Sequence, residues 1–251
     1  MAVMTLRDEL RAAVESRHGR HHPFYRLWAD GKLPRAALGG WAQEHYHFTK
    51  DVVWLNTSMT IDVPYQDVRE MYRRNVEEEM DPREPHIEIL LRFAEAMGFD
   101  PEQVKRSKPL PTTQALLDWA YIITRHRSMV EAIAGMTLGM ESQPPAIYLQ
   151  HDIATALREK YGCTEEEIAF FPVHVDADTE HGGRAFDLVE KYAVTPEQQR
   201  RAVLAAREGA EKRWLYIDGV YIHYVLGHPL KDERWDEYQA EYGPSPYYRG
   251  V

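Results

Sequence analysis

The sequence predicts an all-α protein, and two observations lead to that prediction. Apolar residues recur at steps of three and four along the chain, which is the spacing of one face of a helix. No run of alternating apolar and polar residues is long enough to form a convincing strand. Because 251 residues can bury one sizeable core, we predict a single helical domain of seven to nine helices over residues 1–251. Its core is expected at about residues 20–225, with a C-terminal extension at residues 226–251.

In the first half of the chain, prolines and glycines divide the apolar stripes into separate helices. The predicted helices cover about residues 6–17, about residues 23–30, a long segment from residue 35 to about residue 60, a segment that starts at Pro64, and one that ends before Gly98. Pro82 and Pro85 separate the last two, since each proline removes a helix hydrogen-bond donor. The stretch from Phe99 to Pro111 is rich in Lys and Pro and is predicted to be a connector.

The second half of the chain contains four predicted helices. They extend from Thr112 to Pro144, from there to about Tyr161, from about Val173 to Tyr192, and from Thr195 to about Val225. The last helix begins with Thr195-Pro196-Glu197-Gln198, which has the pattern of a capping box with proline at the first helical position.

Composition and charge exclude several classes of protein. Forty acidic residues against thirty basic ones give a net charge of −10, whereas a nucleic-acid-binding protein needs a cationic surface. No stretch approaches the roughly 20 apolar residues of a membrane span, and the N-terminus lacks the apolar core of a secretion signal. Cys163 is the single cysteine, which excludes an internal disulfide framework and any multi-cysteine metal site. We therefore predict a cytoplasmic protein with no nucleic-acid or membrane partner.

Three ionisable residues continue the apolar stripe of the helix predicted after Val173. His174, Asp178 and His181 follow each other at steps of four and three, which places them on one helical face over two turns. The same stripe is core-like further along the helix, so the three polar groups are predicted to point inward. On an exposed face the same triplet would be hydrated helix surface, and this helix taken alone leaves both interpretations open.

Two other predicted helices bring carboxylates inward in the same way. The inward stripe of the helix from Pro64 reaches Glu79, and the step after Thr137 in the next long stripe reaches Glu141. His86 opens the helix after the proline break, seven residues beyond Glu79. Taken singly, Glu79 could face solvent and Glu141 could lie at a frayed helix end. Their joint placement favours a common site.

Three carboxylates and three imidazoles inside a helical bundle need a shared counter-charge, because an unpaired buried charge is strongly unfavourable. Carboxylate and imidazole ligands suit iron or manganese, and paired carboxylate sites are built inside such bundles. Zinc would also fit the ligand types, but a carboxylate-rich site for two metals favours oxygen chemistry. We therefore predict two Fe²⁺ ions, or a mixed Mn/Fe pair. The predicted ligands are Glu79, His86, Glu141, His174, Asp178 and His181.

A second group of residues is predicted to line a substrate pocket. Trp41 and His45 share the inward stripe of the long third helix, whereas Glu44 and His47 lie about 100° away from it. Glu44-x2-His47 has the carboxylate–histidine spacing of ferritin-like di-iron proteins, but its position predicts a role behind the ligands or at the surface. Arg127 could pair with a substrate carboxylate or form a structural salt bridge. The pocket candidates are Tyr25, Trp41, Glu44, His45, Tyr46 and Arg127.

Three motifs resemble those of the heme-oxygenase-like di-iron oxidases and oxygenases. They are Glu79-x6-His86, Glu141-Ser-Gln-Pro-Pro and Phe-Phe-Pro-Val-His174-x3-Asp178-x2-His181. The segment from His22-Pro23-Phe24 through Phe48 is also similar to PqqC-like pyrroloquinoline-quinone synthases and TenA-like thiaminases. The likeness covers roughly residues 20–225. It implies a seven-helix bundle, often a homodimer, in which the six positions above ligate two irons.

Within that superfamily the sequence looks most like the CADD-like proteins that make p-aminobenzoate. Those proteins consume one of their own tyrosines and a lysine ten residues after the counterpart of Glu141. Tyr25 could stand for the tyrosine, but His151 occupies the place of the lysine. TenA-like members use a cysteine in the central helices, whereas Cys163 lies elsewhere in this chain.

The residues and the resemblance together predict an oxidoreductase. Two ferrous ions would bind dioxygen and oxidise a small organic substrate such as an amino acid or a fatty acid. An external electron donor is a further candidate partner. Two enzymatic alternatives stay open, namely a CADD-like synthase that consumes its own tyrosine and a cofactorless PqqC-like oxidase. A third is a non-catalytic helical protein in which metal only stabilises the fold.

Overall fold

The computed structural model describes residues 4–143 and 147–231, with the side chains of residues 147–151 and 175–181 left undescribed. Within those ranges all the regular structure is helical. The α-helices are α1 (Leu6–Glu15), α2 (Pro23–Ala29), α3 (Arg35–Ser58), α4 (Gln66–Glu79), α5 (His86–Ala96), α6 (Pro101–Arg106), α7 (Pro111–His126), α8 (Met129–Ala132), α9 (Ile147–Glu159), α10 (Phe170–Tyr192) and α11 (Pro196–Val220). Two π-helical segments, Ile133–Ser142 and Tyr221–Val225, continue α8 and α11 without a break. No described helix is both long and apolar enough to span a membrane.

Local sequence signals explain where the helices begin. The predicted capping box of α11 is confirmed, with the Gln198 amide donating to Thr195 Oγ1 at 3.2 Å and the Thr195 amide donating to Gln198 Oε1 at 2.9 Å. Thr5 and Asp8 form the same arrangement at the start of α1. These contacts satisfy amide groups that have no partner inside the helix.

The structure differs from the sequence prediction at two places in the middle of the chain. The helix predicted from Thr112 to Pro144 is interrupted at Arg127, whose backbone is extended, and restarts at a capping box between Ser128 and Glu131. The predicted connector from Phe99 to Pro111 contains α6, which is capped by Asp100 and has a proline at its first position. In both cases a short polar side chain satisfies the first helical amides and so begins a helix that the apolar stripe does not show.

Small residues bring the backbone of α11 against the π-helical segment Ile133–Ser142. A Cβ added at Gly139 would overlap the Ala206 carbonyl, and one added at Gly209 would overlap the Gly135 carbonyl. The contact face of α11 therefore consists of small residues, namely Ala205, Ala206 and Gly209.

An aromatic cluster fills the core beside this contact. The ring centroids of Trp28 and Trp41 are 5.1 Å apart, and Phe171 packs on both indoles. Trp28, Phe93 and Phe171 are almost fully buried. Because aromatic side chains bury a large area with specific geometry, this cluster fixes α2, α3, α5 and α10 relative to one another. These are the helices that surround the candidate site.

Candidate metal centre

Three of the predicted ligand residues meet in the structure. Glu79, His86 and His174 each offer one ligand atom, and these three atoms lie within 4.8 Å of one another. Glu79 Oε2 is 3.1 Å from His86 Nδ1, and the ring centroids of His86 and His174 are 4.6 Å apart. His86 is buried, and Glu79 and His174 are half-buried. One carboxylate and two imidazoles at this spacing can hold a divalent metal ion.

A tight turn brings Glu79 and His86 together. Glu79 is the last residue of α4 and His86 is the first residue of α5. Between them, the Asp81 side chain accepts a hydrogen bond from the Arg83 amide at 2.9 Å, and Pro85 occupies the position before α5 in an extended conformation. Since proline cannot continue the preceding helix and is suited to helix starts, the chain reverses here and returns to the same end of the bundle.

The ring of His174 is oriented by its own helix. Its Nδ1 atom lies 2.6 Å from the Phe170 carbonyl oxygen, and its ring packs 4.1 Å from the Phe170 ring. A carbonyl can only accept a hydrogen bond, so Nδ1 carries a proton and Nε2 is the ring nitrogen suited to act as a metal ligand. This is the arrangement by which proteins commonly orient a metal-binding imidazole.

Of the other three predicted ligands, one has a described side chain. Glu141 lies in the π-helical segment and lines the same cavity as the cluster of Glu79, His86 and His174. Asp178 and His181 follow His174 along α10, but their side chains lie outside the described residues. The six-ligand set therefore stays a prediction, of which the structure brings together three members and places a fourth beside them.

A cavity lies against the three ligand residues and is walled mainly by aromatic side chains. Three of the pocket candidates line it, namely Tyr25, Trp41 and His45. The His45 ring stacks on Trp41 with centroids 4.7 Å apart, and its Nδ1 lies 3.4 Å from the Tyr216 hydroxyl. Burial, helped by the positive charge of Arg213, holds the pKa of His45 well below its usual value. Burial also raises the pKa of Tyr216 well above its usual value. The Tyr216 hydroxyl therefore stays protonated and donates a hydrogen bond to the neutral His45 ring.

Glu44 lies away from the cavity lining and is fully buried, so its expected position behind the ligands or at the surface is wrong. Its Oε2 accepts hydrogen bonds from the Leu110 amide at 2.8 Å and from Thr113 Oγ1 at 2.6 Å, which anchors the start of α7. Burial raises its pKa, although these hydrogen bonds oppose the shift. His47 is also buried, with Nε2 3.0 Å from Ser107 Oγ. Because α4, α5, α7 and α11 all pack on α3, that helix has more than one buried face.

Arg127 and Tyr46 also lie outside the cavity lining. Arg127 forms a two-pronged ion pair with Glu208, at 2.5 and 3.0 Å, on the side of the molecule where α7 ends. The structure thus favours the salt-bridge interpretation of Arg127 over the substrate-binding one. Tyr46 is buried against His47, with ring centroids 5.7 Å apart.

Sequence reasoning missed five polar residues that line the cavity, which are Thr49, Asn56, Asn75, Arg213 and Tyr216. Asn75 lies four residues before Glu79 on α4, so helical spacing from the ligand could have identified it. Arg213 and Tyr216 were missed because the contact face of α11 consists of small residues. An apolar stripe alone does not identify such a face.

Comparison with solved structures identifies the fold. A domain from Shewanella denitrificans with a heme oxygenase-like fold superposes with a TM-score of 0.71, at 20% sequence identity over all of both chains. A TenA homologue from Pseudomonas syringae superposes with a TM-score of 0.75, at 13% identity, over 86% of this chain and 92% of the other. The predicted all-α, heme-oxygenase-like fold is therefore confirmed.

The chain belongs to the iron-containing redox enzyme family, whose sequence profile matches residues 39–214. It is 28% identical over 238 residues to the 4-aminobenzoate synthase of Nitrosomonas europaea, covering 89% of this chain and 94% of that one. It is also 29% identical over 225 residues to the pyrroloquinoline-quinone synthase of Granulibacter bethesdensis, covering 87% of each chain. The predicted resemblance and the assignment as an oxidoreductase are confirmed.

Proposed function

We propose that this protein is a non-heme di-iron oxidase or oxygenase that uses dioxygen to oxidise a small organic substrate. The observation that carries the proposal is the meeting of Glu79, His86 and His174 at the wall of an aromatic cavity. A metal site beside a cavity allows a substrate to reach the metal, which a purely structural metal site does not require.

The donor groups fit iron. Glu79 and the two imidazoles supply oxygen and nitrogen ligands of the type that iron prefers, and the Nδ1 proton of His174 leaves Nε2 as the nitrogen that would bind the metal. Glu141, Asp178 and His181 are the residues proposed to complete a site for a second ion. When bound, iron supplies the electrons and the open coordination positions that dioxygen chemistry needs.

The protein's own side chains would prepare the cavity for that chemistry. Trp41, Phe48 and Phe170 form apolar walls that limit the access of water. His45 is neutral and accepts a hydrogen bond from the Tyr216 hydroxyl at Nδ1, so its Nε2 carries the ring proton. His45 can therefore donate a hydrogen bond from Nε2 to a substrate held in the cavity.

Iron binding is tested by loading the protein with Fe²⁺ under nitrogen and measuring bound iron by elemental analysis. We expect about two irons per chain, and a large loss in Glu79→Ala and His174→Ala because each variant removes a ligand. Glu77→Ala and His126→Ala are matched controls, since Glu77 pairs with Arg73 at the surface and His126 is exposed. Unchanged iron content in the two ligand variants would contradict the site.

Admission of oxygen to the loaded protein separates catalysis from metal-stabilised folding. We expect rapid dioxygen uptake that depends on iron and that one member of a panel of amino acids and fatty acids accelerates. Stoichiometric iron without dioxygen uptake would favour the structural metal site, and activity without iron would favour a cofactorless oxidase.

A second candidate function is the synthesis of 4-aminobenzoate from a tyrosine of the chain itself. Two observations favour it: Tyr25 lines the cavity, and the Nitrosomonas europaea relative is a 4-aminobenzoate synthase. The iron-loaded protein, exposed to oxygen and a reductant, would then release 4-aminobenzoate, with the amino group supplied by a lysine of the same chain, and would lose mass at residue 25 and at that lysine. Tyr25→Phe would abolish the product, whereas Tyr65→Phe, at an exposed position, would leave it unchanged. An unaltered chain mass after turnover would rule this candidate out.

A further inference from the structure

Arg213 has an unusual position in the cavity. Among the described residues that line the cavity, it is the single Lys or Arg. The three histidines that line the cavity are not fixed positive charges. His86 and His174 are proposed metal ligands, and burial together with the charge of Arg213 keeps His45 neutral. The cavity therefore has one fixed positive charge outside the metal cluster.

The guanidinium group is held from one side. Its Nη1 atom donates to the Met140 carbonyl oxygen at 2.5 Å and to the Glu141 carbonyl oxygen at 2.6 Å. The glycine contact between α11 and the π-helical segment, at Gly139 and Gly209, keeps these backbones adjacent. The anchor therefore fixes where the charged group lies.

The other edge of the same group has no acceptor among the described residues. An arginine side chain has five N–H donors, and the two on Nη1 are used by the carbonyl groups. The Nε and Nη2 donors of Arg213 have no hydrogen-bond partner among the described residues. That edge is the planar fork that binds a carboxylate through two parallel hydrogen bonds.

The other residues that line the cavity indicate the chemical nature of the rest of the bound molecule. Tyr25, Trp41, Phe48 and Phe170 surround the cavity with apolar surface. Asn75, which is 3% exposed and lies one helical turn before Glu79, has a side-chain oxygen without a hydrogen-bond partner. A matching ligand would have an anionic group for Arg213, an apolar body for the aromatic side chains and a hydrogen-bond donor for the Asn75 oxygen near Glu79.

We infer that Arg213 is a carboxylate-binding residue, and that the cavity takes a small carboxylic acid with an apolar or aromatic body. The inference deepens the proposed function, because the bound acid would be the substrate. It assigns to Arg213 the role that the sequence suggested for Arg127.

Binding to the metal-free protein tests this inference separately from iron chemistry. Benzoate and hexanoate are the anionic probes with an aromatic and an aliphatic body, and benzamide is the neutral counterpart of benzoate. Titrations followed by calorimetry should show that both acids bind at millimolar concentration and that benzamide binds at least about tenfold more weakly, since it cannot form the charged pair. A comparison of the two acids shows which body the walls prefer.

Two substitutions identify the residue responsible. Arg213→Gln should weaken benzoate binding by about tenfold or more and leave benzamide binding unchanged. Arg213→Lys retains a cation but lacks the planar fork, so its affinity should be intermediate. Arg127→Gln is the control, because it removes a surface arginine of the same charge, and its affinity should equal that of the wild type. Thermal unfolding shows whether each variant is folded. If Arg213→Gln does not fold, the affinity of Arg213→Lys still tests the inference.

The inference would be overturned if the wild type bound neither acid, if benzoate and benzamide bound equally, or if folded Arg213 variants bound benzoate like the wild type. Loss of iron binding with intact benzoate binding would instead contradict the di-iron proposal alone.

Discussion

At the scale of single residues, buried polar groups in this protein are held by backbone groups near in space. His174 is oriented by the Phe170 carbonyl, and Glu44 by the Leu110 amide. His18 follows the same rule. Its Nδ1 accepts a hydrogen bond from the Arg20 amide at 3.1 Å, so its Nε2 carries the proton that it donates to the Gln143 carbonyl at 2.6 Å. Gln143 has a φ of 37° and ends the π-helical segment two residues after Glu141.

His18 is predicted to make the fold sensitive to acid. Burial lowers the pKa of His18 to about 4, whereas the usual value for histidine in an unfolded chain is 6.5. Between these two values the unfolded chain binds more protons than the folded one, so stability is complete above pH 6.5 and is lost as the pH falls towards 4. The loss attributable to His18 is at most about 3 kcal/mol.

Urea unfolding of the metal-free protein at several pH values measures this effect. His18→Gln keeps a hydrogen-bond donor but does not titrate, so the difference in unfolding free energy between wild type and variant should shrink on acidification. His126→Gln, at an exposed position, is the control. A constant difference between pH 7 and pH 4 would show that the pKa of His18 is the same in the folded and the unfolded chain, contrary to the prediction.

At the scale of elements, the contact between α11 and the π-helical segment Ile133–Ser142 positions the site. It places Glu141 and Arg213 side by side, because Arg213 donates to the carbonyl groups at the end of the segment. Only glycine fits at Gly139, where the two backbones touch.

Gly139→Ala is predicted to destabilise the protein by about 1–3 kcal/mol, because the added methyl group overlaps the Ala206 carbonyl. Gly183→Ala is the matched control within α10, where no atom lies within 4 Å of the added carbon. That change should be neutral or stabilising by up to about 1 kcal/mol, since alanine favours a helix over glycine. Chemical denaturation of both variants measures the difference, and equal stability of the two would contradict the close backbone contact.

At the scale of the whole molecule, the cavity is formed where α2, α3, α4, α5, α9, α10, α11 and the π-helical segment Ile133–Ser142 converge. The aromatic cluster around Trp28 and Trp41 packs these helices together on one side of the cavity, and the cluster of Glu79, His86 and His174 lies on another. The cavity, the proposed metal site and the helix packing thus share one core. We expect that a change that loosens the aromatic packing also alters the proposed metal site.

The sequence by itself determined the helical class, most helix positions and the inward direction of Glu79, His86 and His174, because periodicity and capping act over a few neighbouring residues. Tertiary structure alone decided that Glu44 is buried, that Arg127 pairs with Glu208 and that Arg213 lines the cavity. These outcomes depend on which helices pack against each face. Packing of that kind joins residues far apart in the chain, and a helical stripe carries no information about its partner.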